Sequence, residues 1–248
     1  MLIDVAFLPR DASQIARSVC IVVDVIRAST TMATLFDRRC PAIHVARNLD
    51  SGQRYARENG LLLCGERGGA RPEGFDFGNS PSEFSELDFV GRAAVLCTTN
   101  GTVALHAVAG APAVFAGCLV NASAVVAAAI AAAREMGNLT VVCAGRPQGR
   151  FALDDAWTAG RLAAHAARFE PDATLTDAAR AAIALTQAFP GALEAFRTSA
   201  SGQAVISLGL GDDLVFAAQE DRFSVAPRLS QALELPGTRW PVVLVPEG

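Results

Sequence analysis

Short, nearly uninterrupted apolar runs alternate along this chain with longer alanine-rich segments whose apolar positions recur at helical spacing. The runs at 18–25, 42–46, 61–65, 93–97, 113–117 and 139–144 are rich in β-branched residues. They lack the in-and-out alternation of a sheet with one wet face, so they predict strands buried on both sides, as in a parallel sheet. Between them, 29–36, 50–59, 102–108, 122–136 and 154–167 predict helices, with Gly60, Gly110 and Gly137 as terminators. This alternation predicts an α/β fold whose mostly parallel sheet carries helices on both faces. After Pro171 the pattern changes: 174–189 and 192–200 predict helices with no strand between them, and 205–208 and 242–245 return to the sheet. Gly209 to Gly211 and Pro227 mark turns.

A weak echo runs through the chain. A strand followed by Arg27-Ala28-Ser29-Thr30 corresponds to a strand followed by Asn100-Gly101-Thr102. Cys64-Gly65-Glu66-Arg67 is followed by Arg71, and Cys143-Ala144-Gly145-Arg146 by Arg150, at the same interval; Asp76 and Asp154 then fall in comparable places. Two readings stay open, a duplicated βαβαβ unit and the chance similarity of βα proteins. Duplication divides a single domain over 1–248 into subdomains at 1–90 and 91–248, and sets two ligand loops face to face.

Composition narrows the function classes. With 248 residues and 51% hydrophobic content the chain can bury a large core. A net charge of −4 and a pI near 5.4 leave no basic footprint for nucleic acid. All 21 basic residues are arginine. A Schiff-base lysine and a P-loop lysine are therefore excluded, and a GC-rich, bacterial genome is expected. Asp4 precedes any basic group, so no secretory leader is expected. The apolar run at 122–133 falls short of the roughly twenty residues a membrane span needs. Six dispersed cysteines with no CxxC pair fit reduced thiols in the cytoplasm, and three scattered histidines carry no zinc-ligand spacing.

The candidate chemistry concentrates in the loop 65–81, GERGGARPEGFDFGNSP, which holds five glycines, three carboxylates, two arginines and the pair Asn79-Ser80. Arginines grip phosphate or carboxylate, carboxylates hold a hard cation, and glycines let backbone approach a ligand. The loop reads as a site for an anion and Mg²⁺. Asp24 ends the apolar run VCIVVD and needs a partner or a metal. Ser29 and Thr30 after it serve either a helix N-terminus or a phosphate bound there. Thr98-Thr99-Asn100-Gly101-Thr102 reads as an anion site at a helix start or as a capped turn. Asn121 either caps the next helix or donates to a ligand. Asp154 and Asp155, after the glycine loop at 145–149, either bind Mg²⁺ or are ordinary acidic residues in a first helical turn, favoured by the helix dipole. An Asp-x-Asp phosphatase motif is absent because Ile26 stands two residues after Asp24, and Cys64 and Cys143 are one residue too far from Arg71 and Arg150 for a cysteine phosphatase.

The blocks VVDVIRASTT, LCGERGG, EGFDFGNSP, TTNGT, VCAGRPQG and FALDDAWTAG, in this order, resemble the 2-phosphosulfolactate phosphatase family. The C-terminal pattern Ser199, Gly202, Gly209, Asp213 and Pro227 continues it. The resemblance implies a three-layer α/β/α fold and Mg²⁺-dependent hydrolysis of (2R)-2-phospho-3-sulfolactate, a step towards coenzyme M. Joined with the residue chemistry, it sets these expectations. Mg²⁺ sits on Asp24, Glu66 and Asp154 or Asp155 and lowers the pKa of an attacking water. Arg27, Arg67 and the 98–102 loop stabilise the phosphoryl oxygens. Arg71, Arg146 or Arg150 hold the sulfonate and carboxylate, with Gly145, Asn79 and Ser80 beside them, and Asp76 moves a proton. Direct attack by Asp24 is the mechanistic variant. A non-catalytic or isomerising phosphometabolite binder is the competing class, disfavoured because carboxylates repel phosphate unless a cation intervenes. A homodimer is expected from the enzyme class alone.

Overall fold

In a computed structural model, which describes residues 1–46, 48–230 and 242–246, the first strand, β1 (Leu2–Ala6), is one that no apolar run predicts because Asp4 interrupts it. Asp4 accepts a hydrogen bond from the Thr176 hydroxyl at 2.6 Å, while Ile3 and Val5 face the core. All six predicted runs form strands: β2 (Val19–Val23), β3 (Ile43–Ala46), β4 (Leu62–Gly65), β5 (Ala94–Cys97), β6 (Val114–Ala116) and β7 (Asn138–Cys143). The five predicted helices are α1 (Ala28–Asp37), α2 (Leu49–Asn59), α4 (Gly101–Ala107), α5 (Ala122–Met136) and α6 (Leu153–Phe169), and a short α3 (Pro81–Ser85) is added within the long loop. Gly60 and Gly137 end α2 and α5 in the left-handed conformation. Gly110 does not end α4, which closes at Val108 through a bond to the Ala104 carbonyl.

The C-terminal third departs most from its pattern. Thr174–Leu175 is a two-residue edge strand, β8, followed by α7 (Asp177–Leu185) and α8 (Ala192–Thr198). Residues 205–208 are not a strand: 205–207 finish α9 (Ala200–Ser207), which Ser199 caps by accepting the Gly202 N–H at 2.9 Å. That cap outweighs the β propensity of Val205 and Ile206. After α10 (Asp212–Ala217), Pro227 opens strand β9 (Pro227–Ser230), and β10 is Val242–Pro246.

The ten described strands form one sheet in the order β4-β5-β3-β10-β9-β6-β2-β7-β1-β8. Two parallel blocks, β4-β5-β3 and β6-β2-β7-β1-β8, are joined by β10 and β9, which pair antiparallel to their neighbours. The blocks consequently point in opposite senses along the ladder. They still share one core: residues from every strand except β8 pack with Ala28, Met32, Leu35 and Phe36 of α1 and with Ala104 and Leu105 of α4. The sheet must curl around these two helices, and this brings the carboxyl ends of both blocks together. The other face is covered by α5 and α6 over one block and by α2 over the other. The architecture is a three-layer α/β/α arrangement with a large, mostly parallel mixed sheet. One stretch, Leu119–Met136, is long and apolar enough to cross a membrane, with mean hydropathy 1.4, and half of it is buried in the fold.

Candidate active site

Four strand ends and one helix start meet around a cavity of about 430 Å³. Asp24 and Arg27 follow β2, Glu66 and Arg67 follow β4, Thr98, Thr99 and Asn100 follow β5, and Arg146 follows β7. Asn79 of the long loop and an apolar wall of Ala200, Ala204, Val205 and Leu208 complete it. Strand ends at a break in sheet direction are where α/β folds place ligands, because helix N-termini and short loops converge there. The loops after β4 and β7 each close through a small antiparallel bridge, Arg67 with Ala70 and Arg146 with Arg150.

The carboxylates are held at different depths. Asp24, 7% exposed, faces the cavity at the start of α1 and α4, whose Ala28 and Gly101 N–H groups bond it. Burial, then the charges of Glu66 and Asp154, push its carboxyl up to about 7 against those two bonds. Gly101 is required there: a Cβ at that position would lie 2.7 Å from Asp24 Oδ2 and 2.8 Å from Ala28 Cβ. Glu66 lies across the mouth, accepting the Thr99 N–H at 2.6 Å, the Thr99 hydroxyl at 2.7 Å and the Gly69 N–H at 2.8 Å. Asp154 lies behind Asp24. Burial pushes it up to about 6, opposed by its own N–H, Ser201, Ser199 and the Arg146 charge. Its Oδ1 is buried without a partner, as is Oδ1 of Asn79. A buried polar atom with no partner is costly; Asn79 lines the cavity, and Asp154 lies close enough to Asp24 for its charge to raise that carboxyl.

Asp155 differs from its neighbour. Its oxygens accept the Val25 N–H at 3.0 Å and the Gly145 N–H at 2.9 Å. Burial, then Asp154 and Asp24, raise its carboxyl well above the ordinary range. It pins the β2 and β7 loops together through those two bonds.

Other expected site residues serve the scaffold. Ser29 accepts the Asp24 N–H at 3.2 Å, Thr30 donates to the Val25 carbonyl at 2.8 Å, and Thr102 donates to the Thr98 carbonyl at 2.8 Å. Thr98 Oγ1 accepts the Thr102 N–H at 3.3 Å. Asn121 is fully buried; it accepts the Cys118 N–H at 3.0 Å and donates to the Val225 carbonyl at 3.0 Å, so it orders a turn away from the cavity.

Three expectations are corrected by position. Asp76 is exposed, and its carboxylate accepts the Leu63 N–H at 2.8 Å on the outer edge of β4, where it takes the place of a missing strand partner. It does not line the cavity. Arg71 is exposed and donates to the Asp76 carbonyl at 3.2 Å, and Arg150 is exposed and donates to the Pro147 carbonyl at 3.3 Å. Neither lines the cavity; Arg67 and Arg146 do. Ser80 is also displaced, since its hydroxyl donates to Asp213 at 2.7 Å.

The residues not expected at the site come from α9 and α10. Ser199, Ser201 and the apolar wall lie more than a hundred residues from Asp24, and no local spacing links them to it. The ordered C-terminal pattern containing Ser199, Gly202 and Asp213 was the available signal. The thiols play no part: all six cysteines are free and buried, and burial holds Cys64 and Cys143 well above the ordinary thiol range.

Comparison with known proteins agrees with this geometry. The model of the family described as 2-phosphosulpholactate phosphatase matches residues 7–232. A Thermus thermophilus protein named "Probable 2-phosphosulfolactate phosphatase" is 40% identical over 214 residues, 85% of this chain and 87% of that protein. Proteins of the same name from Deinococcus radiodurans and Pseudothermotoga lettingae are 38% identical over 221 residues and 33% over 228. They cover 88% and 91% of this chain and 90% and 95% of their own lengths. With a family model matching residues 7–232 and relatives 33–40% identical over most of both chains, the chain belongs to the 2-phosphosulpholactate phosphatase family.

Proposed function

We propose that this chain hydrolyses 2-phospho-3-sulfolactate, or a close phosphocarboxylate, to the alcohol and phosphate, with Mg²⁺ bound at Asp24, Glu66 and Asp154. The observation that carries this reading is the placement of Asp24 and Glu66, which repel each other, among arginines at one cavity, with the buried Asp154 charge acting on Asp24 and its Oδ1 unpartnered. Three acidic side chains oppose an anion unless a cation joins them to it. An all-oxygen donor set suits a hard cation such as Mg²⁺. When bound, Mg²⁺ would supply positive charge against the phosphoryl oxygens and make water a better nucleophile.

The protein's own residues do the rest. Arg27, Arg67 and Arg146 present three guanidinium groups to a substrate with three anionic groups. Thr99 and Asn100, at the start of α4, and Asn79 offer uncharged polar groups that fix the ester's orientation. The Ala204, Val205 and Leu208 wall excludes water from one side and strengthens the charge contacts opposite.

The test is phosphate release from phosphosulfolactate, phospholactate and phosphoglycolate, each with Mg²⁺ or with EDTA. Turnover that EDTA abolishes is expected, with Asp154→Ala and Glu66→Ala each losing the response to Mg²⁺. Release from none of the esters sinks the phosphatase reading, and an unchanged response to Mg²⁺ in both variants sinks the metal site.

A further inference from the structure

Arg27 is held more firmly than a ligand-gripping side chain on a loop needs to be. Its side chain is 3% exposed, and Nη1 donates to Asp213 Oδ2 at 2.9 Å while Nη2 donates to the Gly69 carbonyl at 2.5 Å. A guanidinium has five N–H donors in a planar fork, so two bonds to opposite ends fix its plane and leave others for the cavity that Arg27 lines.

Asp213 is itself clamped. Its side chain is 1% exposed at the start of α10. Oδ1 accepts the Ser80 hydroxyl at 2.7 Å, the Ser82 hydroxyl at 2.6 Å and, more weakly, the Ser82 N–H at 3.3 Å. The two carboxylate oxygens thus do different things, since Oδ1 is locked to the start of α3 and Oδ2 is presented to Arg27. A carboxylate serving only to neutralise a buried arginine has no need of a rotamer fixed by two serines from a third segment. The chain reaches this arrangement from three places, the β2 turn, the 80–82 cap and α10, far apart in sequence.

We propose that Asp213 is a positioning residue for the phosphatase site: with Ser80 and Ser82 it aims Arg27 at the phosphoryl group. This rests on the phosphatase reading, in which Arg27 meets the phosphoryl oxygens. An arginine free to swing would still attract an anion but would no longer be held where charge develops on the transferring group.

The experiment is a double-mutant cycle on the Mg²⁺-loaded protein with Arg27→Ala, Asp213→Asn and the pair, reading kcat, KM and, independently of turnover, the affinity for inorganic phosphate. Asp213→Asn keeps the side chain's shape, and a Ser80→Ala/Ser82→Ala variant, which leaves the ion pair in place, covers the case in which it fails to fold. Asp213→Asn is expected to lower kcat about 30-fold or more with KM changed less. The pair should be no worse than Arg27→Ala in kcat and in phosphate affinity, and the serine variant should lower kcat in the same direction. Effects that multiply, or an Arg27→Ala enzyme with unchanged kcat and phosphate affinity, overturn the proposal. If the wild-type protein cleaves no ester, the phosphatase reading fails, while the cycle on phosphate affinity still decides whether Asp213 acts through Arg27.

Discussion

Gly101 is where a single atom decides the site. Its N–H bonds Asp24, and its missing side chain makes room for that carboxylate. Gly101→Ala therefore displaces either Asp24 or the α1 start at Ala28. A shift of about 1 Å at a reacting centre costs on the order of 100-fold in rate. The expected outcome is a fall in kcat of about that size with the fold retained, checked by steady-state kinetics beside circular dichroism. Asp155 makes the complementary case, since its two oxygens tie together backbone on two loops. Asp155→Asn takes away one acceptor and strands the N–H of Val25 or Gly145, which costs about 1–3 kcal/mol. Urea unfolding in EDTA should show that loss; an unchanged midpoint would mean that the two loops are held by something else.

At the scale of elements, α6 links the site to the helical third of the chain. Its first turn carries Asp154 and Asp155, and its middle packs on α7, where Gly160 touches backbone. A Cβ at Gly160 would lie 2.1 Å from the Ala182 carbonyl oxygen, so Gly160→Ala must push the helices apart. Overpacking of this kind costs about 1–3 kcal/mol, and in a chain this long each kcal/mol lowers Tm by about 2–4 °C. The melting point should drop accordingly while kcat/KM per folded molecule stays within about twofold, because no cavity residue is touched. Ser199 works at the start of α9, where its hydroxyl caps the helix by accepting the Gly202 N–H and donates to the Phe196 carbonyl. This is why 205–207, strand-like by propensity, belong to a helix.

For the molecule as a whole, stability should depend on pH in a sense that Mg²⁺ reverses. Asp24 and Asp154 are pushed up to about 7 and about 6, so the metal-free folded chain holds protons that the unfolded chain, with ordinary carboxyls near 4, has released. This contribution is fully present below about pH 4 and is lost as pH rises through 6 and 7. Melting in EDTA should fall across that interval, and added Mg²⁺ should raise Tm more at pH 8 than at pH 5, because a cation binds the deprotonated carboxylates. A larger effect of Mg²⁺ at pH 5 would contradict the assignment. The sequence by itself determined β2 to β7, the helices α1, α2, α4, α5 and α6 between them, and the motifs that supply Asp24, Arg27, Glu66, Arg67, Asn79, Asp154 and Arg146, since buried strands and glycine-rich loops leave local signatures; it missed β1 and α3. It did not separate the residues that face the cavity from those that support it. Asp155, Ser29, Thr102 and Ser80 bear the same chemistry as their neighbours, and only backbone geometry decides which atoms are already satisfied. Tertiary structure alone set Asp76, Arg71 and Arg150 aside, placed the antiparallel β9 and β10 between the parallel blocks, and brought α9 and Asp213 to the site. Those outcomes depend on contacts across more than a hundred residues, made when the sheet curls around α1 and α4, and no pattern along the chain encodes the curl.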